Sequence, residues 1–210
     1  VASGLVDRID VSQYRLATHL TLACFIFAAI VWVWRGIGRH SGDDAPTSSS
    51  AAFAGTIACL VLLQIYLGGL VAGMKAGLAS NTWPLMDGQF VPSGLFIMNP
   101  WAINFFENAL TVQFDHRMVA YLLWLLAGWH MVSSLRAAPD TTHARRSVVL
   151  FLLVTIQAII GIATLLLVVP MHLALTHQAV ALLVLGFAVA HWRAYYGSYS
   201  FPKNALAAAA

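Results

Sequence analysis

The chain has 210 residues, 60% hydrophobic and only 9% charged, with a formal net charge of +3 and a mean hydropathy of +0.78. A soluble domain carries about 25% charged residues, so this chain cannot cover a water-exposed globule of its size, and a cytosolic enzyme, a secreted disulfide scaffold and a disordered linker are excluded. The eleven Lys and Arg sit mostly beside apolar runs, which makes them topology signals rather than a nucleic-acid surface. Cys24 and Cys59 both lie inside apolar runs, against a disulfide framework or a CxxC metal site.

A transmembrane helix needs about 20 mostly apolar residues. In chain order, five stretches qualify: Ser12–Trp34, Ala51–Met74, Leu110–Leu135, Val148–Val169 and Leu173–Trp192. The expected fold is therefore an all-α membrane protein. A polar, Pro-containing linker, Ser41–Ser50, joins the first two spans. Lys75 to Phe106 holds NTWP, VPSG and MNPW, a turn-rich loop with aromatic residues suited to the membrane interface. AAPDTTHA joins spans three and four, which leaves His143 in a solvated loop. VPMH, with Pro170 as the breaker, separates spans four and five.

Arg35, Arg39, Arg136, Arg145, Arg146, Arg193 and Lys203 fall at one set of helix ends; Arg8, Arg15, Lys75 and Arg117 fall at the other. Seven against four predicts that the first set faces the cytoplasm, or the matrix in a mitochondrion. The amino terminus is then outside and the carboxyl terminus inside. Val1–Asp10 has no basic segment followed by an apolar one, so no signal peptide is expected there, and the sequence reads as starting part-way through a longer protein.

The first and last spans share a pattern. Thr18-His19 precedes Trp34-Arg35 by the same spacing at which Thr176-His177 precedes Trp192-Arg193, fifteen residues from His to Trp. Trp-Arg at a membrane boundary recurs by chance because such residues anchor there, but Thr-His near the opposite end of both helices is rarer. The pattern predicts a parallel duplication of the kind found in membrane folds. Residues 1–38 would then be the last helix of an amino-terminal four-helix half, 39–50 a linker, 51–197 a second four-helix half and 198–210 a tail. Such a duplicated protein would have eight helices, of which five are seen here.

An ionisable side chain within a span is costly and is a functional candidate. His19, His116 and His177 lie in the outer halves of three parallel spans, whereas His172 sits in the outer turn. Two His from facing helices can ligate a six-coordinate haem iron, one above and one below the ring. A lone buried His is more often a satisfied polar side chain; three at matching depth shift the balance toward ligation. His116 sits in QFDHR, Gln113–Arg117, where Arg117 could meet a propionate or where the turn could simply emerge at the interface. Glu107 is expected at the interface.

A rival pattern competes. His116 to His130 and His177 to His191 are both fourteen residues, close to four helical turns and a rise of about 21 Å. Each helix could then present one His to each leaflet, as in a diheme transmembrane cytochrome b that exchanges electrons with quinone. Against this, His130 and His191 neighbour Trp129 and Trp192, and fourteen residues after His19 comes Val33. Aromatic-belt company of that kind needs no metal.

Four blocks carry a resemblance: SQYRLATHLTLA (Ser12–Ala23), LGGLVAGMKAGLASNTWPLM (Leu67–Met86), FDHRMVAY (Phe114–Tyr121) and LALTHQ (Leu173–Gln178). Together they resemble the haem A synthase family of alphaproteobacteria and mitochondria, over nearly the whole chain. The resemblance implies two similar four-helix halves in a bacterial cytoplasmic or mitochondrial inner membrane. It implies a haem b in the carboxyl-terminal half, its iron between the positions of His116 and His177. It also implies that His19 is an axial, catalytic ligand for the substrate haem O in the other half, whose second His is not in this sequence. Gln113 stands where that half of the family has a glutamate, and an amide cannot handle a proton as a carboxylate can. The implied chemistry is oxidation of a haem O methyl group to the formyl group of haem A, for cytochrome c oxidase assembly. A fragment of this kind is expected to be inactive alone. Implied partners are the bilayer, haem O synthase and cytochrome c oxidase assembly factors, with room for a homo-oligomer and no role for nucleic acid.

Overall fold

The computed structural model describes residues 12–37 and 48–196. Arg8, Arg39, His40, Lys203, most of the first linker and the 198–210 tail lie outside the described residues. The described residues form the helices α1 (Gln13–Ile37), α2 (Ser48–Gly73), the single turn α3 (Asn104–Glu107), α4 (Ala109–Ala137), α5 (Thr142–Leu166) and α6 (Met171–Arg193). Five of these are long and apolar enough to cross a membrane, as the hydropathy pattern predicts. Their outward faces remain apolar, with Ile30, Leu125, Ile159 and Leu183 all exposed. Lipid tails, not water, suit such faces.

The helices end where local chemistry stops them. Asn108 caps α4 by accepting hydrogen bonds from the Leu110 and Thr111 amides, satisfying donors that have no partner inside the helix. Thr141 caps α5 through the Ala144 amide. This cap starts α5 six residues before the apolar run that marks the span, so His143 lies within the helix and is buried. The expectation of a solvated loop histidine is thereby corrected. Between α5 and α6, Val168 and Val169 adopt positive φ, and Pro170 precedes α6.

Helices α2, α4, α5 and α6 close a four-helix ring in which each packs on the next and α6 returns to α2; α1 lies outside it, against α2 and α6. In this ring α4 and α6 are diagonal partners. The core between the helices includes Ile57, Val61, Leu123, Leu150 and Leu185. In lipid, helices associate through close packing rather than exclusion of water, and small residues allow it. Gly69 and Gly73 supply that space for α1: a Cβ on Gly69 would stand 2.8 Å from the Ala17 Cα, and one on Gly73 2.5 Å from the Gln13 Cα. At the other end Gly55 makes room for the Trp192 indole, which meets Trp32 of α1 edge-on at 4.7 Å.

The segment between α2 and α4 folds as a tied cap over one end of the ring. Buried Asn104 donates to the carbonyls of Met98 and Trp101. Asn108 donates to those of Gly94 and Leu95, and the Thr111 hydroxyl also reaches the Leu95 carbonyl. Asn81 ties the cap to the end of α5 through the Leu165 carbonyl. Glu107 is exposed, as expected, and accepts from the Tyr14 hydroxyl of α1.

Candidate functional site

His116 lies in the second turn of α4 and His177 in the second turn of α6. Both helices start at the loop-capped end, so the two imidazoles lie at similar depth on diagonal helices. Each is held by the same two residue types on an adjacent helix. Gln64 of α2 donates its amide to the His116 carbonyl at 2.9 Å, and the same nitrogen lies 3.1 Å from Nδ1 and 3.3 Å from Nε2 of the ring. Gln157 of α5 donates to the His177 carbonyl at 2.9 Å and lies 3.4 Å from its Nε2.

One helical turn beyond each glutamine is a glycine that the ring packs against. A Cβ on Gly68 would meet the His116 Cε1 at 3.3 Å, and one on Gly161 the His177 Cε1 at 2.8 Å. The pairs α2–α4 and α5–α6 are thus two copies of one module, Gln-x3-Gly on the first helix and His on the second. The sequence carries this signal as Gln64-Ile-Tyr-Leu-Gly68 and Gln157-Ala-Ile-Ile-Gly161. Neither glutamine carries a charge that would flag it within an apolar span.

The module fits a planar group ligated from both sides. The cradles that a Cβ would fill hold both rings at defined positions. The buried Nδ1 of His177 and the buried Oε1 atoms of Gln64 and Gln157 have no hydrogen-bond partner. Buried polar atoms are rarely left unpaired, and three of those that are lie on His177 and the two glutamines.

Arg117, buried between α4 and the cap, donates to the Ser80 and Thr82 carbonyls at 2.9 Å each. Gln113 reaches the same Ser80 carbonyl at 3.0 Å. Both side chains fasten the cap beside His116, an anchoring job the sequence did not reveal; the buried Nε of Arg117 has no partner. His19 is exposed on α1. It lies two residues, about 200° of rotation, from Ala17, which packs on α2, so it faces away from the ring. The structure brings His116 and His177 to one level and leaves His19 apart from them.

Near the opposite end of α4 and α6, His130 and His191 are both buried, with their Nε2 atoms 2.9 Å apart. Phe53 stacks on His130, and Tyr195 packs between His191 and His143. This pair is a closed hydrogen-bonded contact rather than the interfacial pair of the aromatic belt. Two imidazoles across an iron would need about 4 Å, twice a metal–imidazole bond of about 2 Å.

The comparisons agree with this architecture. Residues 1–189 match the family described as cytochrome oxidase assembly protein. The chain is 63% identical over 199 residues to the haem A synthase of Rhizobium meliloti (strain 1021), covering 95% of this chain and 54% of that protein. It is 63% identical over 205 residues to that of Chelativorans sp. (strain BNC1), covering 98% and 56%. It is 57% identical over 202 residues to that of Agrobacterium fabrum (strain C58 / ATCC 33970), covering 96% and 55%. The chain therefore spans about half the length of the curated relatives it matches. No solved structure matches it. A match to the family over residues 1–189, together with the five-helix membrane architecture, establishes that the chain belongs to the cytochrome oxidase assembly family that includes the haem A synthases.

Proposed function

We propose that this chain forms the haem b-holding half of a haem A synthase together with one helix of its substrate half. The observation that carries the reading is the twice-built module in which a glutamine and a glycine present one imidazole each, His116 and His177, from diagonal helices. These two side chains would hold the iron of a haem b, and the unpaired Arg117 Nε would be free for a propionate. The haem would supply a one-electron couple within the membrane. The chain's own residues do the rest. Gln64, Gln157, Gly68 and Gly161 fix the rings, while Arg117 and Gln113 hold the cap against the site and keep water from it.

His19 would belong to the other half. It faces away from the ring that carries His116, so a haem on that face would be the substrate haem O, whose methyl group is oxidised to the formyl group of haem A. The basic ends of the helices would face the cytoplasm. A diheme cytochrome b is disfavoured by the direct contact between His130 and His191.

The test is His19→Ala in cells carrying the variant as their sole copy. The reading predicts that the purified variant keeps its haem b while haem O or a hydroxylated product accumulates in place of haem A. Normal haem A output would remove His19 from the site. Loss of haem b would mean that the two halves are assigned the wrong way round.

A further inference from the structure

At the end of the bundle away from His116 and His177, a cavity of about 210 Å³ is lined by three helices. Trp34 and Arg35 come from α1, Arg146 from α5, and Phe187, Ala190 and His191 from α6. Arg35 lies in the last turn of α1 and Arg146 in the second turn of α5. Among the described residues this end carries Arg35, Arg136, Arg145, Arg146 and Arg193 against one carboxylate, Asp140, exposed between α4 and α5. Two like charges lining one cavity repel each other, and an anion between them turns that repulsion into attraction. The α6 wall adds a polar atom without a partner. His191 is only 1% exposed, its Nε2 is engaged by His130, and its Nδ1 is buried with no hydrogen-bond partner.

The rest of the lining is apolar, and Trp34 is 70% exposed. Cationic and aromatic side chains thus share one cavity where the helices end, the level of lipid headgroups. We propose that this cavity binds the phosphate of an anionic phospholipid, with Arg35 and Arg146 as its charged donors and Trp34 and Phe187 against the start of its acyl chains. Guanidinium forks match phosphate oxygens two at a time, and basic pockets between membrane helices hold anionic headgroups. A free phosphate would meet the same arginines but has no use for the two aromatic walls. The cavity is smaller than a pocket for a drug-sized ligand, about 300–1,000 Å³, and suits one headgroup phosphate. A lipid held there ties α1 to α5, both of which pack on α6. The site is independent of the haem reading above.

The experiment titrates the delipidated full chain in neutral detergent with phosphatidylglycerol, phosphatidylcholine or inorganic phosphate. Native mass spectrometry reads bound lipid, and a thermal melt reads stability. The parent should bind phosphatidylglycerol about tenfold or more tighter than phosphatidylcholine and melt higher with it, and inorganic phosphate should not displace it. Arg35→Gln/Arg146→Gln should weaken phosphatidylglycerol binding by about 10- to 30-fold. Arg136→Gln/Arg145→Gln, which removes two exposed charges of the same end from outside the cavity, should leave it nearly unchanged. Should the first double variant fail to fold, its two single variants decide, each weakening binding by about three- to fivefold. No lipid preference in the parent would overturn the proposal, and would fit pairing of the arginines with Asp43 or Asp44 of the linker. Equal losses in the two double variants would overturn it in favour of diffuse surface charge. Displacement of the lipid by inorganic phosphate would overturn it in favour of a free anion.

Discussion

His130 and His191 share a hydrogen bond of 2.9 Å between their Nε2 atoms, fourteen residues along α4 and α6 from His116 and His177. The same two helices therefore carry two imidazole pairs separated by about 21 Å of helix rise. One pair is closed on itself; in the other, each member is matched with its own glutamine. The direct Nε2–Nε2 contact of the first pair leaves no room for an iron between those two atoms.

His130→Ala should accordingly leave the haem content of the purified chain unchanged. It should lower stability by about 1–3 kcal/mol, because the buried His191 Nε2 loses its partner. A pyridine haemochrome assay and a thermal melt on the same sample check both parts. Loss of about half the haem would instead restore the diheme reading.

The two glycine cradles differ in tightness, which predicts a graded response. A methyl group at Gly161 would stand 2.8 Å from the His177 ring and one at Gly68 3.3 Å from that of His116. Gly161→Ala should therefore lower haem occupancy more than Gly68→Ala. The ratio of haem absorbance to protein absorbance reads the difference, and equal retention in both variants would contradict it.

Gly69→Val should loosen α1 from α2 without touching the ring interior, since the new side chain would overlap the Ala17 backbone. Overpacking of this kind costs about 1–3 kcal/mol. A lower melting temperature in detergent, with haem content per folded protein preserved, is the expected result.

Arg117→Gln should free the cap. The two carbonyl contacts at Ser80 and Thr82 are hydrogen bonds from a charged group, each contributing about 1.5–3 kcal/mol. Limited proteolysis between residues 75 and 100 should accelerate about tenfold or more, and Arg117→Lys should not rescue it, because an ammonium lacks the planar fork that spans two acceptors. An unchanged cleavage pattern would show that the cap is held by Asn104 and Asn108 alone.

Much of this was legible in the sequence. Spans appeared because long apolar runs have no other use in a chain with so little charge, and His116 and His177 appeared because an ionisable group in such a run is expensive. Gln64 and Gln157 escaped notice because a neutral amide in an apolar helix carries no charge to flag it; only the carbonyl across the helix pair gives it a purpose. His143 was misplaced because the apolar window opens at Val148, while the Thr141 cap and the burial of Ala144 and Ser147 extend α5 through a charged stretch. The anchoring contacts of Arg117 escaped notice because its two carbonyl partners lie more than thirty residues away in a loop.

The most direct measurement is haem content and axial ligation of the full chain, by pyridine haemochrome and low-temperature paramagnetic resonance, in His116→Ala and His177→Ala beside the parent. The account predicts one low-spin, bis-imidazole haem b per parent chain, with that signal abolished in each single variant. A variant lacking either imidazole that still showed the parent's bis-imidazole signal at full occupancy would contradict it.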